Sequence, residues 1–124
     1  MILVDANILL RSAQPTHAHY ATAKAVKTAR LRGYIPCIVP QVIYEYWVVA
    51  TRPIGENGLG LTTAEADDDI AQIIQQFHLF RDERAILDRW QRLVVEHGAH
   101  GKTAHDASLV AAMNRYGITH LVTF

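Results

Sequence analysis

The sequence predicts an α/β fold with a mostly parallel central sheet flanked by helices. Three observations carry this. Short apolar runs alternate with stretches of helical periodicity along the whole chain. The opening run Met1-Ile2-Leu3-Val4 is a buried strand that ends on a carboxylate, Asp5. The last run, Ile118 to Thr123, is again strand-like and follows a helix closed by Gly117.

The elements follow in order. Residues 2–4 form the first strand, and Asp5-Ala6-Asn7 begins a turn behind it. Residues 17–32 form a helix with Tyr20, Ala23, Val26 and Ala29 on one face, ended by Gly33. Residues 34–39 form the second strand. Pro40 suits the first position of the next helix, which runs to about Thr51 and stops before Pro53. Ile54 to Gly60, with three glycines, is a loop. Thr62 and Glu65 have capping-box spacing and open a helix to about Gln76. Phe77 to Phe80 form a short strand. Ile86, Leu87, Trp90, Leu93 and Val94 make the apolar stripe of a helix ended by Gly98. Residues 104–116 form the last helix.

Bulk properties narrow the function classes. The 124 residues fit one domain, 1–124, that buries roughly two thirds of its unfolded surface. Half are hydrophobic and 19% are charged, an ordinary soluble composition. Twelve basic and twelve acidic residues argue against a general nucleic-acid binder, yet not against a nuclease whose acids sit in one site. The one cysteine, Cys37, reads as a small buried side chain. No apolar stretch approaches the ~20 residues that span a bilayer, and no signal-peptide region opens the chain. A cytoplasmic protein is expected.

Asp5, Glu45 and Asp106 carry the candidate chemistry. Each flanks a strand end, and open α/β sheets build their sites at strand carboxyl ends. Each also has a structural reading. Asp5 can cap a turn. Asp106 can belong to a capping box, Thr103-Ala104-His105-Asp106. Glu45 lies on an apolar stripe with Gln41, Val42, Val48 and Val49, where a carboxylate needs a partner such as an arginine, or a cation. Together the acids repel unless a cation neutralises them, and oxygen-only ligands suit Mg²⁺ or Mn²⁺.

Other candidates are weaker. Gly101-Lys102-Thr103 lacks the earlier glycine of a phosphate-binding loop, and it follows a helix. His97, His100 and His105 match no zinc spacing and read as a solvated loop. Asp67-Asp68-Asp69 reads as a solvated helix face. Tyr44, Tyr46 and Trp47 read as core and interface residues, one of which could stack on a base.

The motifs Leu3-Val4-Asp5-Ala6-Asn7-Ile8-Leu9, Gln41-Val42-Ile43-Tyr44-Glu45-Tyr46 and Lys102-Thr103-Ala104-His105-Asp106-Ala107 resemble those of PIN-domain ribonucleases. Ala50-Thr51-Arg52-Pro53, Asn57-Gly58-Leu59-Gly60-Leu61 and Leu121-Val122-Thr123-Phe124 extend the resemblance to VapC-type toxins of toxin–antitoxin pairs. The resemblance covers essentially the whole chain and implies a three-layer sandwich. It implies that Asp5, Glu45 and Asp106 are catalytic metal ligands, with Asn7 and Thr123 as supports. It further implies Mg²⁺ or Mn²⁺, an RNA substrate, a cognate antitoxin and a homodimer. The family usually adds a further acid a few residues after the Thr123 position and then another strand. The chain stops at Phe124, so both are expected to be missing. The competing reading is therefore a catalytically impaired PIN-fold module that binds a partner protein or RNA. A haloacid-dehalogenase-type phosphatase would want a second Asp two residues after Asp5, where Asn7 stands.

Overall fold

The computed structural model describes residues 1–27 and 33–124. Among these residues four strands, β1 (Ile2–Val4), β2 (Pro36–Ile38), β3 (His78–Leu79) and β4 (His120–Val122), form one sheet in the order β3-β2-β1-β4. Every pairing is parallel. Leu3 sits in register with Cys37 on one side and Leu121 on the other, and Cys37 pairs with His78.

Among the described residues six α-helices connect them: α1 (Ala6–Ser12), α2 (Tyr20–Lys27), α3 (Pro40–Thr51), α4 (Thr63–Gln76), α5 (Arg84–Glu96) and α6 (Lys102–Tyr116). Helix α1 packs on α2 and α3, and α3 on α4, while α5 and α6 pack as a pair. The strand order explains this split. From β1 to β2 to β3 the chain steps in one direction; it then crosses back to place β4 on the other side of β1. Parallel crossovers are right-handed, so a reversal of direction puts the last helices on the opposite face. The result is the expected three-layer sandwich, with a switch point between β1 and β4. A ligand crevice opens at such a point, outside the strand carboxyl ends.

The core is built on the sheet and α1. Leu3, Val4, Ile8, Cys37, Ile38 and Val42 are fully buried. The burial of both faces of β1 and β2 matches their unbroken apolar sequences. Pro40 occupies the start of α3, where its missing N–H costs nothing. Thr62 Oγ accepts from the Glu65 amide at 3.1 Å and the Glu65 carboxylate accepts from the Thr62 amide at 3.0 Å, the expected capping box. Those bonds hold the Glu65 carboxyl below its ordinary pKa.

The structure corrects several expectations. Residues 6–12 are a helix rather than a turn. Ala6, Ile8, Leu9 and Leu10 are all buried, and so short an apolar segment, broken by Asn7, does not reveal a helical period. The 17–32 helix begins at Tyr20; its predicted end, with Ala29, lies outside the described residues. Helix α6 begins at Lys102 rather than 104. Leu87 departs from the α5 stripe and is exposed, whereas Ile86 is buried. Asp69 is not simply solvated: it accepts a 2.7 Å hydrogen bond from the buried Tyr46 hydroxyl. Burial first, and that bond second, push the Tyr46 pKa well up.

Cys37 yields a pH prediction. Its Sγ donates to the Ile2 carbonyl at 3.2 Å, and burial pushes its pKa up to about 11. An unfolded thiol ionises near 9, so the folded state keeps a proton that the unfolded chain loses. The neutral-thiol contribution is fully present below pH 9 and disappears as pH rises through 11. Urea midpoints should therefore fall between pH 8.5 and 11 by an amount equivalent to about 2–3 kcal/mol. Cys37→Ala should flatten much of that fall; an unchanged slope would refute the assignment.

Candidate active site

Strand β1 delivers Asp5 to the switch point. The Asp5 amide donates to the Val122 carbonyl at 3.0 Å, extending the β1–β4 pairing one residue beyond the strands. Asp5 is also the N-cap of α1: its Oδ1 accepts from the Ala6 amide at 2.7 Å. Its Oδ2 accepts from the Thr123 hydroxyl at 2.8 Å. The Thr123 oxygen in turn accepts from the Asn7 amide at 2.9 Å. Capping and site-building are thus compatible in Asp5, because its two oxygens are used separately.

Helix α3 supplies the second wall. Tyr44, Glu45, Val48, Val49 and Arg52 recur at helical spacing and line one cavity of about 850 Å³. Helix α6 supplies the third with Lys102, His105, Asp106, Leu109 and Val110, again one helical face. Asp5, Asn7, Thr123 and Phe124 complete the cavity. All five residues expected from the sequence, Asp5, Asn7, Glu45, Asp106 and Thr123, therefore face a single space.

The acids line the cavity without converging. Among the described residues, no group of three His, Cys, Asp or Glu side chains is close enough to hold one ion. Their bonding differs. Glu45 is half-buried and contacts the His105 ring through Oε1. Asp106 is exposed, and among the described residues no hydrogen bond or ion pair engages its carboxylate. Arg52 and Lys102 share the cavity without bridging any of the three acids among the described residues. Carboxylates gathered in one cavity with no lysine or arginine paired to them suit a cation.

Residues 2–124 match the family description PIN domain. The chain belongs to the PIN domain family. The PIN domain's fold is similar to that of VapC20 from Mycobacterium tuberculosis, a Sarcin-Ricin loop cleaving toxin. The identity is 19% and the TM-score 0.73, over 100% of this chain and 89% of the other. It is also similar to VapBC2 from Rickettsia felis, solved bound to a DNA fragment from their promoter. Here the identity is 12% and the TM-score 0.65, over 99% of this chain and 86% of the other. At such identities the likeness is one of fold. No curated protein matches the chain.

Three sequence expectations change in this PIN domain. Asp106 caps nothing: α6 starts from Gly101, so Thr103 lies inside the helix and Asp106 beyond its first turn. The partner of Glu45 is a histidine rather than an arginine. His105 is not part of a solvated loop but stands on α6, and sequence reasoning missed it by grouping it with His97 and His100. The available signal was its place beside Asp106, on a helix whose face lines the cavity. Of the cluster Tyr44, Tyr46 and Trp47, Tyr44 lines the cavity, where it could stack on a base.

Proposed function

We propose that this PIN domain is a Mg²⁺- or Mn²⁺-dependent endoribonuclease acting as the toxin of a toxin–antitoxin pair. The observation that carries the reading is the placement of Asp5, Glu45 and Asp106 on one cavity at the β1–β4 switch point of a PIN-family chain. The three carboxylates stand apart around the cavity; drawn together on a bound cation, they would supply the hard oxygen donors that suit either ion. When bound, the ion supplies Lewis-acid activation of water and neutralises charge on the scissile phosphate. Thr123 and Asn7 orient Asp5 by the relay of hydrogen bonds from amide to hydroxyl to carboxylate. Arg52 and Lys102 place positive charge in the same cavity, where phosphate oxygens develop charge in the transition state.

RNA as substrate is in keeping with the cleaving activity of the structurally similar M. tuberculosis toxin, and a cognate antitoxin with the R. felis VapBC2 assembly. A homodimer and a cytoplasmic location complete the proposal. Among the described residues no helix is long and apolar enough to cross a membrane.

The test is cleavage of a mixed RNA substrate with Mg²⁺ or Mn²⁺, with EDTA, and with Asp5→Asn. Asparagine keeps the N-cap acceptor, so the fold should hold while cleavage falls by at least about a hundredfold. Metal-dependent cuts that vanish in both controls establish the nuclease. RNA or partner binding with no cuts under any condition selects the non-catalytic module instead.

A further inference from the structure

Gln41 and Glu45 are four residues apart on α3 and so present their side chains on one face. The His105 ring, from α6, lies against both. Gln41 Nε2 is 3.1 Å from Nδ1 and 3.0 Å from Nε2 of that ring, and Nε2 contacts Glu45 Oε1. With a neutral ring, the carboxylate decides the tautomer. A carboxylate only accepts, so Nε2 carries the proton and donates it to Glu45; the ring then accepts from the Gln41 amide at Nδ1. This matches the other side of the cavity, where the Asn7 amide donates to the Thr123 hydroxyl, which donates to Asp5. Each of these two carboxylates thus has one oxygen fixed by a group that is itself fixed by an amide. Such outer partners orient metal ligands and set their affinity.

We propose that His105 is a positioning residue for Glu45, with Gln41 fixing the ring, so that the Oε2 oxygen of Glu45 is held ready for the divalent cation. This rests on the metal-dependent reading of the site. It assigns His105 no bond to the ion and no proton transfer. Its action runs through Glu45 alone, which separates it from a fourth ligand and from a packing residue.

The test is Mn²⁺ affinity by titration calorimetry, with urea midpoints measured beside it. His105→Ala should weaken Mn²⁺ binding about ten- to a hundredfold. His105→Gln, whose amide can still donate to Glu45, should recover part of the loss. Gln41→Ala should give a smaller loss of the same kind. In a Glu45→Gln background, His105→Ala should weaken binding no further, because the two residues act as one unit. Wild-type affinity in both His105→Ala and Gln41→Ala overturns the proposal and leaves the nuclease reading intact. An undiminished loss in the Glu45→Gln background also overturns it, since His105 would then act independently of Glu45. If the wild-type chain binds no Mn²⁺, the metal-dependent reading itself falls. Should His105→Ala fail to fold, His105→Gln and Gln41→Ala carry the same comparison.

Discussion

On the proposed nuclease reading, Asp106→Asn should remove metal-dependent RNA cleavage and leave the fold as stable as the wild type. The side chain is exposed, engages no partner among the described residues, and caps no helix. Surface substitutions of this kind stay within about 0.5 kcal/mol. The catalytic loss should be much larger, at least about a hundredfold, because removing one preorganised charge at a reacting centre costs on that order. Cleavage rates with Mn²⁺ and a urea titration of the same preparation make the comparison. A stability loss matching the activity loss would return Asp106 to a structural role. Retained cleavage would remove it from the site.

Gly58→Ala should destabilise the protein by about 2–3 kcal/mol and weaken cleavage as well. Gly58 is buried in an otherwise exposed loop, and an added Cβ would overlap the carbonyl of Arg52. Main chain cannot swing aside as a flexible side chain does, so the loop must shift. That loop finishes α3. The Leu59 amide donates to Val49 O at 3.1 Å, Gly60 to Arg52 O at 2.8 Å and Leu61 to Ala50 O at 2.9 Å, satisfying carbonyls the helix leaves open. A shifted loop loses those bonds and moves Arg52, which lines the cavity. Gly55→Ala is the control: its added Cβ meets nothing within 4 Å, and the change should be near neutral. Urea midpoints of the two variants, measured together, decide the point. Equal midpoints would refute the clash.

The fold was legible where pattern and burial agree. The alternation of apolar runs and helical stripes predicts all four strands and the α3 to α6 order. The carboxylate directly behind the first strand marks the crevice. Helix α1 was illegible because a helix of two turns, with Asn7 and Arg11 as its half-buried face, is too short to show a period. Asp106 lines the cavity with Asp5 and Glu45, but the sequence left it a second reading. Its capping-box alternative dissolves only when Gly101, at φ 61°, is seen to start α6 one turn earlier. His105 was invisible for a different cause. Its meaning depends on Glu45, 60 positions away in sequence, and no local spacing encodes that contact. The same holds for the Thr123–Asp5 bond across 118 positions, which only the resemblance of Thr123 to a family motif anticipated.

The pairing of β1 with β4 has a consequence for biosynthesis. Thr123, whose hydroxyl donates to the Asp5 carboxylate, is made 118 positions after it. Loop closure over such a separation is entropically costly and makes non-local pairing late in folding. A growing chain therefore carries Asp5 without that hydrogen bond until β4 has been made and docks on β1, and the candidate site is assembled only then. For a protein proposed to cut RNA, the order of chain elongation itself delays activity until β4 is in place.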